Sequence, residues 1–584
     1  MKIYNWRPFL DRWSADWIDS PGVEGREDAA EEIVRDRWLG FAPAGDERIA
    51  ALEERLGAEL PPSYRSFLAV TDGWRPAGTA VELLGTVDGV HWRKGAELQE
   101  WYESALDEES SDDEVLRAGM RGRALRLSVA SDGTDLLLDP DDVDADGEWA
   151  AYLHRAGSGE LPVRYASFLD LMQALFRDFH RNNAGSEFVN ATTRELDAAV
   201  EEARVACLAG DDIDARLDVF EDAAEHGRPG AAGFRDELTA LLDGRPGGGE
   251  GGGLLPYEPE GPFRRAVDTA REQARWGDTD GAWRTLATAV GTWEPYGSER
   301  IAPVGLLADP ILGPVITPER GRYLLETPRG GGQGGGEARG PGGGQGDGQG
   351  RGEWDAAGLV SREVGLSWLA DHVEQPGDYR FVLVRDVSPE EVAARVGEGP
   401  LLPPSDEADV QGRPFGPDGR PPVVVRVGSA GEGWSFAYGT VLEPFASGRL
   451  NDPGERASRG TEAVTIWVER GDTSAGRPGV FYLSCAEDGR RVYGFAVRGD
   501  EIEEWGEVPE ALDPEELFPG AEVPEGYEEP GAPEEGPAPV ALDVDDEYEA
   551  LDAVTETFGV ALPQLALRRG RLHAVATGPW IAAR

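Results

Sequence analysis

Cysteine is scarce: the 584-residue chain holds two, Cys207 and Cys485, in different segments. Two such distant thiols build neither a disulfide framework nor a cysteine zinc site, and they suit a reducing cytoplasm. Lysine is as rare. Lys2 and Lys94 precede Ile3 and Gly95, not Ser or Thr, which excludes a Walker phosphate loop. The other cations are arginines in a Gly-, Ala- and Pro-rich chain, a coding bias that makes arginine no sign of phosphate recognition. The six histidines (His91, His154, His180, His226, His372, His573) include no pair at i,i+4 and no HExxH, so no zinc motif is present. Long apolar runs are missing too. No stretch approaches the roughly 20 residues of a membrane span. The first residues are interrupted by Arg7, Asp11 and Arg12, so no secretory leader is expected. Positive charge is the last deficit: 56 basic against 111 acidic residues, a net charge of −55. Such a chain repels nucleic acid and anionic membranes and steers cationic partners towards itself. A cytoplasmic protein without nucleic-acid or membrane partners is expected.

What the chain does contain is globular material, 40% hydrophobic and 29% charged, in a length that calls for about three or four domains. The organising stretch runs from Glu47 to Trp74. Ile49, Leu52 and Leu56 recur at helical spacing, Gly57 closes that helix, and Pro61-Pro62 cannot continue it. Tyr64, Phe67 and Leu68 form the stripe of a second helix, stopped by Asp72-Gly73. Strands are expected at Val81–Leu84, Gly89–Trp92, Leu125–Val129, Asp135–Asp139 and Trp149–His154, with an acidic loop at Asp107–Glu114. An amphipathic helix from Tyr165 to Phe179 closes the domain.

These residues carry a resemblance. Leu52, Leu56, Gly57, Leu60, Pro61, Pro62, Tyr64, Phe67, Leu68, Asp72 and Gly73, followed by the LLLDP strand and the YASFLDLM helix, resemble the SUKH superfamily of Smi/Knr-like domains over about residues 40–180. The resemblance implies an antiparallel sheet with flanking helices. It also implies an immunity role, binding a cognate toxin, or a regulatory one.

Beyond it, two helical blocks each read as helix, Gly-Asp turn, helix. Ala203-Arg204 and Ala270-Arg271, Gly210-Asp211 and Gly277-Asp278, and Ala215 and Ala282 keep one offset, resembling degenerate tetratricopeptide-like hairpins. Residues 329–352 are a glycine-rich tether. In the last part, a helix is expected at Ser361–His372. Strands follow at Tyr379–Asp386, Val423–Val427, Trp434–Tyr438 and Ala463–Glu469, then a hairpin at Val480–Val497 turning at Asp488-Gly489 and a helix over Tyr548–Phe558. Asp500–Glu549, acidic and Pro-rich without a cation, reads mostly as a disordered loop. The SWLADH, FVLVRDVSPEEV and TEAVTIW passages resemble an uncharacterised actinobacterial family. The fold class is thus α+β multidomain: residues 1–185 the SUKH-like sheet domain with its N-terminal extension, 186–328 α-helical hairpins, 329–352 the linker, 353–584 an α+β domain.

No catalytic, cofactor or metal residue is assigned. Gly-x-Ser-x-Gly is absent, and neither cysteine has a histidine near it in sequence. Asp142-x-Asp144-x-Asp146-Gly147 opens like a calcium loop, but Leu153 stands at the twelfth position, so it reads as an acidic surface turn. Partner contacts are expected at Trp92, Trp101 and Tyr102, aromatics flanking polar loops, and at Asp107, Glu108, Glu109, Asp112, Asp113 and Glu114, which would meet a cationic toxin domain of nuclease or deaminase type. The competing expectation is a regulatory scaffold that uses the same domain for protein–protein interaction.

Overall fold

The computed structural model describes residues 4–21, 23, 31–76, 81–93, 111, 115, 120–131, 133–155, 161–185, 187–245, 261–295, 297–329, 365–373, 377–413, 423–431, 433–440, 452–522, 540–578 and 580. The chain divides into two compact units: Met1–Ala206 with Asp214–Arg235, and Cys207–Ile213 with Asp236–Arg584.

In the first unit, helices α1 (Trp6–Asp19), α2 (Glu31–Asp36), α3 (Asp46–Leu56) and α4 (Pro62–Leu68) precede the main sheet. α3 buries Ile49, Leu52 and Leu56 along one face and stops at Gly57, whose φ of 72° is one that glycine adopts without strain. Pro62 occupies the first turn of α4, where its missing N–H costs nothing, and Tyr64, Phe67 and Leu68 point inward. Asp72 then fixes the following loop. Its Oδ1 accepts from Val87 N at 2.7 Å and its Oδ2 from Arg48 at 2.6 Å.

A two-stranded ladder pairs β1 (Val81–Leu84) with β4 (Ser128–Ser131). The main sheet is antiparallel, in the order β2 (His91–Trp92), β3 (Leu125–Arg126), β5 (Thr134–Val143), β6 (Trp149–Arg155), β7 (Val163–Tyr165). The expected strand over Leu125–Val129 is two strands. Leu127 leaves the ladder between them, donating its N–H to Leu136 O (2.8 Å) while its carbonyl accepts from Gly85 N (2.6 Å). The closing helix also differs from expectation. Val163–Tyr165 pairs with β6 as a strand, and α5 (Phe168–Asn182) starts only after Ser167, whose hydroxyl caps it by accepting from Asp170 N.

α1 belongs to the same core. Trp6, Leu10, Trp13 and Trp17 are buried; Trp6 Nε1 donates to Ser63 O at 3.0 Å, and the Trp13 ring lies 5.7 Å from Trp74. Beside them a polar network joins α1 to α5 and to the start of α6 (Ala191–Leu208). Asp16 faces His180 Nε2 at 3.3 Å and accepts from Thr192 Oγ1. His180 is fully buried; its Nδ1 lies 2.9 Å from Phe176 O. α7 (Ile213–Glu225) follows, with Phe220 packed against Phe234.

In the second unit, the later part of α8 (Ala231–Asp243) and the hairpin of α9 (Phe263–Arg275) and α10 (Thr279–Ala289) precede α11 (Pro318–Glu326). Gly277 takes φ 83° between α9 and α10, and the Asp278 carboxylate caps α10 by accepting from Gly281 N at 2.7 Å. A nine-stranded antiparallel sheet follows, in the order β15 (Glu501–Trp505), β14 (Arg490–Arg498), β13 (Val480–Glu487), β12 (Glu462–Glu469), β8 (Tyr379–Arg385), β11 (Trp434–Gly439), β10 (Val424–Ser429), β16 (Leu572–Ala576), β9 (Leu402–Ser405). The apolar run Phe381–Val384 in β8 fits a strand with both faces covered. Phe381 and Leu383 meet α14 (Val544–Phe558) and α15 (Gln564–Arg569), while Val382 and Val384 meet α12 (Pro389–Val396) and α13 (Pro453–Ala457). Asp488 and Gly489, both at positive φ, turn the β13–β14 hairpin as expected.

Two expectations fail here. Instead of a helix at Ser361–His372, the described residues form a single 3-10 turn, Ser367–Ala370. The acidic stretch after Asp500 is largely folded where it is described: β15 pairs with β14, a short helix spans Pro514–Leu517, and α14 begins at Val544 behind an Asp543 cap. The pairing of apolar Ile502 with Val497 outweighs the local charge density. Residues 523–539 of that stretch, and the glycine tract from 330 onward, lie outside the described residues.

Candidate protein-interaction surface

β5 alternates. Leu136 and Leu138 point into the helix-covered core, while Leu137 joins Met120, Ala124, Ala150 and Tyr152 in a separate cluster on the opposite face. On that outer face, carboxylates meet arginines one after another. Arg93 and Arg126 each reach Asp135 at 3.0 Å. Arg123 grips Asp139 with two bonds of 2.7 Å. Arg164 grips Asp142 in the same bidentate way, also at 2.7 Å, and Tyr152 OH donates to the same carboxylate. Bidentate pairing combines charge with fixed geometry. The result is a ladder of matched charges across the sheet and not a bare anionic face.

The hydrogen bonds from Arg164 hold the Asp142 carboxyl below its ordinary range against the opposing effect of burial, and Tyr152 OH, desolvated and bonded to Asp142, is pushed up. A carboxylate depressed in the folded state binds its proton more readily when unfolded. Its contribution is therefore complete above the unfolded Asp value near 4 and is lost as pH falls through the lower folded value. Asp142→Asn is expected to flatten the loss of thermal stability below about pH 4. A melting profile from pH 6 to pH 2.5 as steep as that of the parent would remove Asp142 from the acid response.

The passage resembling a calcium loop is occupied by these same bonds. Asp142 is held by Arg164, and Asp144 Oδ1 accepts from the backbone N–H of Asp146 (2.8 Å) and Glu148 (2.9 Å), closing the β5–β6 turn. Glu148 is buried and accepts from Ser63 N (2.8 Å) and Ser63 Oγ (2.5 Å), which ties that turn to the start of α4. Among the described residues, no group of three His, Cys, Asp or Glu side chains is arranged to hold a metal.

Of the residues expected to contact a partner, Trp92 is half-buried. Its Nε1 donates to Leu56 O at 3.0 Å and its ring stacks on Trp149 at 6.2 Å, so it clamps the end of α3 to the sheet. Trp101, Tyr102, Asp107, Glu108, Glu109, Asp112, Asp113 and Glu114 lie outside the described residues. Two described residues nearby in sequence, Arg93 and Met120, lie at the outer face. Arg93 donates its N–H to Ala124 O at 3.0 Å and pairs with Asp135, and Met120 is fully buried against Leu137 and Tyr152. The sequence reading missed the ladder because acids are so common here. The available signal was Asp135 and Asp139 bracketing LLL, since a strand that buries its aspartates must bring them cations.

The eleven motif residues, by contrast, are architectural: Leu52, Leu56, Leu60, Tyr64, Phe67, Leu68 and Asp72 are buried, and Gly57 and Gly73 adopt positive φ. Elsewhere, burial pushes the Cys485 thiol up to about 12, and Cys207 is buried as well. No helix among the described residues is long and apolar enough to cross a membrane.

Comparison with known proteins fits this geometry. Residues 43–174 match the model of the SMI1 / KNR4 family (SUKH-1), under a quarter of the 584-residue chain. No curated protein and no solved structure matches. The matched segment holds two helices around a Pro-Pro break, an antiparallel sheet and the start of the closing helix, and this segment of the chain belongs to the SUKH superfamily.

Proposed function

We propose that this chain is a non-enzymatic binding protein that neutralises a cationic toxin domain, of nuclease or deaminase type, by direct contact in the cytoplasm. The observation that carries the reading is the SUKH domain itself, a family compatible with immunity and protein-interaction roles, set in a chain of net charge −55. Supporting it, the carboxylates described on the outer sheet face already have arginine partners and offer a cationic partner little free charge. The acids at Asp107–Glu114 would then supply the charge that draws such a partner. Electrostatic attraction of this kind accelerates encounter, and aromatic contacts then set residence time.

The test is rescue of cells that produce a basic toxin encoded beside this gene, followed by binding kinetics with the purified pair. Reversing Asp107, Glu108, Glu109, Asp112, Asp113 and Glu114 to arginine is expected to slow association about tenfold or more at low salt, with the difference shrinking as salt rises. An unchanged on-rate at low salt would show that the partner docks elsewhere, and failure of rescue would remove the immunity reading.

A further inference from the structure

Within the second unit, the turn of the α9–α10 hairpin lies against the large sheet. Trp276 O accepts from Ser429 N–H at 2.7 Å at the end of β10, and the Trp276 ring sits 4.3 Å from the His573 imidazole on β16. The indole also packs on the apolar cluster containing Val425, Val427 and Val575, while its Nε1 donates to Glu272 at 2.9 Å. The approach is close enough to require glycine. A Cβ on Gly428 would stand 2.8 Å from Trp276 O and 2.8 Å from the Phe436 ring. Further along the chain, the 3-10 turn Gly313–Val315 packs against α15. Residues before and after the glycine-rich tract thus interlock at two places, and both sides fall in the same compact unit.

We propose that the tract at 329–352 is a connection within one folded unit and not a tether between independent domains. The helical segment 263–329 and the C-terminal sheet then form an intramolecular interface that outlasts cleavage of the tract. A glycine-rich connection suits this role, because the entropic cost of closing a loop grows only slowly with its length. One consequence bears on partner binding. The Gly-Asp turn of this hairpin is occupied by the chain's own sheet, so α9–α10 does not offer that end to an outside protein as a free repeat would.

The test inserts a site-specific protease sequence at Gly342–Gly344 of the full chain. After cleavage, both fragments are expected to co-elute in size-exclusion chromatography at about 1 μM. Elution as two separate peaks overturns the proposal. Because the N-terminal fragment also carries the first unit, the interface is then probed directly in the cleaved protein. Trp276→Ala is expected to raise the dissociation rate of the fragments about tenfold to a hundredfold, as loss of a central aromatic contact does. His573→Ala, which leaves both backbones unaltered, should raise it less, and Trp92→Ala in the first unit should leave it unchanged. Parent-like dissociation in both the Trp276 and His573 variants would equally overturn the proposal, provided the uncleaved variants keep the parent's circular dichroism.

Discussion

Trp13→Ala is expected to destabilise the first unit by about 3–5 kcal/mol, the usual cost of emptying a buried indole site. The side chain is fully buried, with ring contacts to Phe9 at 5.9 Å, Phe176 at 5.5 Å and Trp74 at 5.7 Å. No small residue refills that volume, since the three neighbours come from α1 itself, the closing helix and the end of the Pro-Pro motif. The consequence for dissection is larger. A fragment limited to residues 43–174 keeps the family match but loses all of α1, which bares Phe67, Trp74 and Phe168 at once, and it also ends within α5 before Phe176. That fragment is expected to lack a cooperative urea transition, whereas one spanning both stretches of the first unit should unfold in a single step. A cooperative transition in the 43–174 fragment, or a loss under about 1 kcal/mol in Trp13→Ala, would mean that α1 only decorates the core.

The same residues mark how far the sequence could be read. Glu47–Trp74 was legible because helix period, a glycine stop, a Pro-Pro break and an Asp-Gly end all agree on one local structure. α1 was less so. Trp6, Leu10, Trp13 and Trp17 keep helical spacing, but Arg7, Asp11 and Arg12 between them gave the passage a mixed character, and only tertiary packing shows which face is inside. The start of the closing helix was missed for the opposite reason. Tyr165 continues the apolar stripe of the helix in sequence, yet its pairing with Ala151 takes it into β7. Asp135 and Asp139 bracketing LLL signalled that cations must be brought to that strand, but not which arginines. Arg93 and Asp135 are joined by fold and not by spacing.

Long-range pairing also decides the behaviour of Glu547, and its replacement should give the largest effect in the second unit. This carboxylate is fully buried on α14. It accepts from Tyr379 OH at 2.8 Å, faces His372 Nε2 at 3.0 Å and lies 3.5 Å from Arg470. Burial and the adjoining Glu547 carboxylate push the Tyr379 hydroxyl well above its ordinary range, so the tyrosine remains a donor. Glu547→Ala removes the shared acceptor and strands a buried phenol beside an arginine that is itself largely enclosed. Breaking one side of such a buried set costs about 3–5 kcal/mol, more than the pairing gained on folding, because the remaining groups stay desolvated. Glu547→Gln, which retains an acceptor for Tyr379 but no charge for Arg470 or His372, should fall between Ala and the parent. Calorimetry on the full chain separates the units. The transition of the second unit should shift in the order Ala, Gln, parent, while that of the first stays in place. Equal melting of the Ala and Gln variants would show that the hydrogen bond from Tyr379 contributes little and that charge alone fastens α14 to β8.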